Sequence, residues 1–311
     1  MRPLLERGRL AGLACAVVAS AWAGDGVTVK SRARGLTPAA TIQVETTVVL
    51  IPVTVTDRTN RAVSSLDRGN FRLFEDKVEQ KIVHFSKGDV PLSVGVVFDL
   101  SGSMEKKLNL ARRAMSQFLD SANPGDEFFL VQFADRPELA VDFTTDPGRL
   151  ESHLAFLQAG GRTALVDAVA LALDQIKKAN NPRRALLILS DGEDNSSRFG
   201  ERELRRRVRE SDVQIYAIGL EEAYHGPWDP SVLSQIAEQS GGRHHPVHNW
   251  KSLPEIATAI GRELRDQYLL GYTPANRTRD GKYRRVEVKV TPPPGVGPLE
   301  ASWRRGYYAL P

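Results

Sequence analysis

Cysteine is nearly missing from this chain: Cys15 is the single one in 311 residues. It lies in an amino-terminal apolar stretch, residues 10–23, that reads as a removable leader. The remainder can therefore form no disulfide, no thiolate nucleophile and no Cys-based metal site. An excess of one charge is missing too. Lys and Arg number 42 against 38 Asp and Glu, a net charge of +4. Removing residues 1–23 takes away three Arg and one Glu and leaves +2, so nothing demands a nucleic acid as partner. No apolar run reaches the roughly 20 residues that a transmembrane helix needs. The enzyme signatures G-x-S-x-G, H-E-x-x-H and G-x-x-x-x-G-K are all absent. No internal repeat is visible.

What is present is ordinary for a globular protein: 41% hydrophobic and 26% charged residues. That excludes a wholly disordered chain, a collagen-like fibre and a polytopic membrane protein. The length corresponds to about two domains of roughly 150 residues. Arg2, Arg7 and Arg9 precede the apolar stretch, which ends in Ala21-Trp22-Ala23. This is the layout of a secretory signal peptide cut after Ala23, and it predicts a secreted or periplasmic protein. An uncleaved anchor or a buried helix is the alternative. A lipid-bearing Cys15 fits less well, because Gly12 stands where an aliphatic residue is expected. Export without disulfides suits a bacterial envelope.

Residues 24–40 are polar and read as a linker. Residues 41–90 read as β structure: Val49, Ile51, Val53 and Val55 alternate, and Phe71, Leu73, Val78, Ile82 and Phe85 suggest a hairpin around Glu75-Asp76-Lys77. Asn60 is a candidate left-handed residue in the turn of residues 57–61. From Pro91 the pattern changes. Short apolar runs at 92–98, 128–133, 184–190 and 213–220 read as strands buried on both faces. Helical periodicity separates them, with Leu108, Ala111, Met115 and Leu119 on one side of the first helix. Asp229-Pro230 reads as the start of a helix running to Ser240, and residues 253–264 as a last helix. Alternating strands and helices predict a doubly wound, mainly parallel sheet over residues 91–267. β patterning returns over 268–311, with a turn at Asp280-Gly281 and alternation at Val286, Val288 and Val290. Neither β fragment can bury its own face alone. The economical topology is an α/β domain inserted in a β-sandwich built from both ends of the chain.

Doubly wound sheets hold ligands beyond the carboxyl ends of their strands. After the first such strand comes Asp99-Leu100-Ser101-Gly102-Ser103, and after a later one Ser190-Asp191-Gly192. Between them, Gly160-Gly161-Arg162-Thr163 offers a hydroxyl. Two carboxylates and three hydroxyls make a hard, all-oxygen set that suits Mg²⁺ or Mn²⁺ and not zinc. With only two carboxylates the cation keeps Lewis acidity for a further acidic ligand.

The pattern Asp99-x-Ser101-x-Ser103, Thr163 and Asp191-Gly192 resembles the metal-ion-dependent adhesion site of von Willebrand factor A domains and integrin inserted domains. The flanking β segments, Asp280-Gly281 and the closing Arg305-Gly306-Tyr307-Tyr308 resemble von Willebrand A-related proteins of acidobacteria. The resemblance covers residues 41–311. It implies a binding role, with the cation held by Asp99, Ser101 and Ser103. Thr163 and Asp191 would bind it directly or through water, and a partner's carboxylate, from Asp, Glu or a C-terminus, would complete the shell. Lys77 departs from the pattern, since related sequences usually carry glycine there.

Other features have plainer readings. Adjacent strand histidines such as His244 and His245 point to opposite faces, which disfavours a metal cluster with His248. Residues 202–209 carry five Arg interleaved with Glu, and Glu201–Arg205 and Glu203–Arg207 fall at i, i+4 on a solvated helix face. Glu193-Asp194-Asn195 reads as a loop more readily than as a Ca²⁺ site. Trp228 is either an exposed interface residue or a packed staple. Three functions follow: a non-enzymatic metal-dependent binding protein, a metal-dependent hydrolase using the same ion, or a structural envelope module with a vestigial site. The first is the expectation.

Overall fold

Strand-forming residues at both ends of the chain meet in two antiparallel sheets, and the helix-strand alternation between them forms a third sheet. The computed structural model describes residues 48–59, 61–88, 90–191, 194–220 and 231–309. These belong to one compact unit, Thr46–Pro311. The expected signal peptide with Cys15, the expected linker, Asn60, Gly192, Glu193, Trp228 and Asp229-Pro230 lie outside the described residues.

The first strands are β1 (Val49–Thr56), β2 (Phe71–Glu75), β3 (Val78–Gln80) and β4 (Ile82–Lys87). The central region runs β5 (Leu92–Asp99), α1 (Leu108–Leu119), β6 (Glu127–Phe133), β7 (Pro137–Thr144), α2 (Pro147–Ala155), α3 (Leu165–Gln175) and β8 (Arg183–Ser190). It continues with α4 (Glu201–Glu210), β9 (Gln214–Gly219), α5 (Ser231–Ser240), β10 (His244–Pro246) and α6 (Leu253–Arg265). The last strands are β11 (Tyr268–Tyr272), β12 (Tyr283–Val290), β13 (Glu300–Trp303) and β14 (Gly306–Tyr308).

The central sheet has the order β10-β9-β8-β5-β6-β7, parallel except for the β6–β7 pair. Every residue of β5 is buried, because helices cover both faces. Leu108, Ala111, Ala114, Met115 and Phe118 of α1 pack with Leu253, Ala257 and Ile260 of α6 in the core on one face. Val166, Val169 and Leu173 of α3, Leu204 and Val208 of α4 and Ile236 of α5 fill the other. The antiparallel strand β7 has an apolar run of Leu139-Ala140-Val141 alone, and only Val141 is buried in it, too short a signal to mark it as a strand.

The two other sheets have the orders β13-β1-β11-β4 and β14-β12-β2-β3. Each mixes strands from both ends of the chain, and they share one core of Ile51, Val53, Phe71, Leu73, Tyr268, Leu270, Val286 and Val288, among others. This is the sandwich with an α/β insertion expected from the sequence. The hairpin differs in one respect. It closes between β2 and β3 only, and β4 joins the opposite sheet beside β11. Val78 is accordingly exposed while Ile82 is buried.

The hairpin turn has φ 47° at Asp76 and 71° at Lys77. Both central residues are left-handed, as a two-residue hairpin of this hand requires. A non-glycine residue with a Cβ is strained there. Lys77→Gly is expected to stabilise the protein by about 1 kcal/mol, read by urea denaturation.

Buried polar groups stitch the insertion to the sandwich. Arg183, on β8, donates to the carbonyls of Gly88 (3.1 Å) and Val90 (3.2 Å) on the incoming chain. On the outgoing chain it donates to the Leu264 carbonyl and to Gln267 Oε1. Gln267 in turn donates to Thr54 of β1 and Tyr216 of β9, each at 3.0 Å. Helix α5 ends in a left-handed Gly241 (φ 82°). The Gly241 N–H bonds the Glu238 carbonyl and the Gly242 N–H bonds that of Ala237, a Schellman motif. Among the described residues no helix is long and apolar enough to cross a membrane.

Candidate functional site

The central sheet reverses its winding at β5, which lies between β8 and β6. The carboxyl ends of β5 and β8 are neighbours there, with Phe98 beside Leu189. Asp99 closes β5 and is fully buried. Its Oδ1 accepts the Ser101 N–H at 2.8 Å, and its Oδ2 accepts the Ser190 hydroxyl at 2.6 Å. The hydroxyls of Ser101 and Ser103 stand 3.1 Å apart. Ser101 is buried and Ser103 is exposed, so the cluster opens to solvent on the Ser103 side.

Thr163 reaches the same end of the sheet through a latched loop. The Gly160 N–H bonds the Leu100 carbonyl at 2.7 Å, and the Gly102 N–H bonds the Gly161 carbonyl at 3.1 Å. Gly161 has φ 86°, and a Cβ there would stand 2.9 Å from Asp135 Oδ2. The Thr163 N–H donates to Asn195 Oδ1 at 2.9 Å, and the Thr163 carbonyl accepts the N–H groups of Asn195 and Ser196. Asp194, weighed from the sequence as a cation ligand, caps α3 instead. Its Oδ2 accepts the Val166 N–H at 2.8 Å and the Ser197 hydroxyl at 2.6 Å.

Asp191 follows β8. Its Oδ2 lies 3.4 Å from Lys107 Nζ, and both side chains are almost fully buried. Its Oδ1 is buried and accepts no hydrogen bond among the described residues. A buried carboxylate oxygen without a donor is costly. Asp99 is strained electrostatically as well. Burial, and then the charge of Asp191, push its carboxyl from 3.8 up to about 7, against the pull of the Ser101 and Ser190 hydrogen bonds. Asp99 and Asp191 therefore repel each other in spite of the Lys107 ammonium beside Asp191. An all-oxygen set with one acceptor unused fits a hard divalent cation.

The structure thus gathers Asp99, Ser101 and Ser103 in direct contact, sets Asp191 close enough to perturb Asp99, and latches the Thr163 loop to the Asp99 loop. Ser190 and Lys107, which carry no role in the sequence reading, and Asn195, weighed there within Glu193-Asp194-Asn195, complete the surroundings. Lys107 had a signal: it precedes Ala111 by four residues, on the buried stripe of α1. The histidines are separate. His244 and His245 lie side by side on β10, pairing with Ala217 and Ile218 of β9. Burial holds His245 down at about 4. Among the described residues no three His, Cys, Asp or Glu side chains gather to hold a metal. The arginines of α4 form the expected Glu201–Arg205 and Glu203–Arg207 pairs, at 3.3 and 2.9 Å.

Residues 94–193 match the family model of the von Willebrand factor type A domain. An uncharacterized protein of Borreliella burgdorferi is 25% identical over 199 residues, which are 55% of this chain and 57% of that one. Human inter-alpha-trypsin inhibitor heavy chain H4 is 27% identical over 177 residues, 51% of this chain and 18% of that one. The chain thus spans well under two thirds of either relative. Among solved structures, von Willebrand factor type A from Catenulispora acidiphila superposes with a TM-score of 0.51 at 15% identity, covering 76% of this chain and 75% of that one. That likeness concerns the fold.

Proposed function

We propose, from the premise that this chain carries a von Willebrand factor type A domain, that it is an exported, non-enzymatic protein that binds an acidic partner through a divalent cation. Domains of this type are protein-interaction modules, often metal-dependent. The finer reading assigns Mg²⁺ or Mn²⁺ to Asp99, Ser101, Ser103, Thr163 and Asp191. The observation that carries it is Asp191 Oδ1, buried and without a hydrogen-bond partner among the described residues, near an Asp99 whose carboxyl is pushed up by burial and then by Asp191.

The residues divide the work. Asp99 and Asp191 supply the negative charge. Ser101, Ser103 and Thr163 supply neutral oxygens that add no repulsion toward an incoming carboxylate. Ser190 fixes one Asp99 oxygen and the Ser101 N–H the other, which sets the orientation of the carboxylate. When bound, the cation supplies a Lewis acid to which a partner's Asp, Glu or C-terminal carboxylate can bind. Export rests on residues 1–23 and places the module in the periplasm or outside the cell.

The test is calorimetric titration of the chelated protein with Mg²⁺ and Mn²⁺ into the millimolar range, beside Asp99→Ala. One saturable site, lost in the variant, is expected, followed by partner capture that EDTA abolishes. A folded wild-type protein that binds neither ion in that range would sink the metal site. Phosphoester turnover lost with Asp99→Ala would replace binding by hydrolysis.

A further inference from the structure

Lys107 is an unusual residue to find beside Asp191, a carboxylate proposed to hold a cation. Its side chain is 1% exposed. Its backbone starts α1: the Lys107 carbonyl accepts the N–H groups of Leu110 and Ala111 at 3.0 and 2.9 Å. A helix start carries partial positive charge and disfavours a cation. Burying an ammonium group is costly as well unless it is paired. Asp191 Oδ2 at 3.4 Å helps to offset both, as does the Trp250 ring, whose centroid lies 5.1 Å from Nζ. The negative charge of Asp191 thus helps to hold the lysine in this buried place.

We propose that Lys107 is a tethered counter-cation that weakens metal binding on its own and strengthens the capture of a carboxylate once the metal is bound. This rests on the metal-site reading above. With Asp99 and Asp191 both ionised, Lys107 changes the sum over these three groups from −2 to −1 in the absence of metal. A divalent ion brings it to +1, and one carboxylate from a partner brings it to zero. Without Lys107 the loaded cluster would already be neutral, and a carboxylate would leave it at −1. In a buried site such differences are poorly screened. Lys107 therefore couples the two ligands: it opposes the first and favours the second. By linkage, acetate should raise Mg²⁺ affinity to the same degree that Mg²⁺ raises acetate affinity.

Lys107→Met removes the charge and keeps the length and apolar stem. Lys107→Gln removes the charge and keeps a polar end, and serves as the second variant. Mg²⁺ is titrated calorimetrically into wild type and both variants, with and without acetate at constant ionic strength. The variants are expected to bind Mg²⁺ at least about tenfold more tightly without acetate. They are also expected to lose most of the acetate-dependent gain seen in wild type. A lysine that merely fills space would not move the two readings in opposite directions. Wild-type binding with variants no tighter, or with the acetate effect intact, would overturn the role of Lys107 and leave the metal site standing. Absence of Mg²⁺ binding in wild type and variants alike would overturn the site itself, and this role with it.

Discussion

Lowering the pH from 8 to 5 is expected to weaken Mg²⁺ binding roughly a hundredfold. The cause is Asp99. Burial and the neighbouring Asp191 charge raise its carboxyl from 3.8 to about 7 in the folded, metal-free protein. A cation that binds the carboxylate must displace the proton, so below about pH 7 affinity falls tenfold per unit. The sign for stability follows from the same shift. Between about pH 4 and 7 the metal-free fold holds a proton that the unfolded chain has released. Stability without metal therefore declines as pH rises through that window, and the full penalty stands above it. Saturating Mg²⁺ should oppose the trend. Asp99→Asn cannot ionise, so its chelated form should lack this decline. Calorimetry at several pH values and thermal unfolding in EDTA read the two arms. A Mg²⁺ affinity that changes less than about threefold over the range would show that Asp99 is already ionised without metal.

Gly242→Ala is expected to destabilise the fold by at least about 3 kcal/mol, read as the shift of a urea transition. A Cβ on Gly242 would stand 2.1 Å from the Ile215 carbonyl oxygen and 2.6 Å from its carbon. These are backbone atoms of β9, in the middle of a hydrogen-bonded sheet, and cannot rotate away. The neighbouring Gly241 is under the same constraint from the sandwich, since a Cβ there would meet the Arg304 nitrogen at 2.2 Å. Its left-handed φ adds strain of about 1 kcal/mol. The pair therefore does two jobs: it ends α5, and it lets the chain pass between β9 and the β13–β14 connection. A loss below about 1 kcal/mol would mean that α5 can slide on the sheet without cost.

Much of this architecture was legible in the sequence because it depends on period. The buried runs at 92–98 and 184–190 need no partner to be recognised, and the alternation at Val286, Val288 and Val290 states its exposed face directly. β4 was not legible in its pairing. Its residues alternate equally well in either sheet, and only Tyr268 and Leu270 beside Lys87 and Phe85 settle the choice. At the candidate site, Asp99, Ser101, Ser103 and Asp191 drew notice as short oxygen-bearing residues after buried strands, and Thr163 as the hydroxyl of a glycine-rich loop; their role as ligands is the proposal. Lys107 escaped because a lysine at a helix start ordinarily points to water. Asp191, a carboxylate beside its ammonium group, comes 84 residues later. The Arg183 clasp escaped for a similar reason: its acceptors are carbonyls and an amide, which leave no mark in side-chain pattern.

The insertion also sets a timetable. In the finished sheet β11 lies between β1 and β4, pairing Val53 with Tyr268 and Tyr268 with Lys87. A ribosome releases β1 and β4 first, and the strand that joins them emerges about 180 residues later, at synthesis rates of about 5–20 residues per second. Until then β1 and β4 have open edges, a hazard for association between chains. Closing so long an unfolded loop is slow. A central region that has already folded brings its two ends together, because Arg183 grips both the incoming and the outgoing chain. The sandwich is thus the last part to close, and a nascent chain halted before Tyr268 would present its unpaired strands to its neighbours.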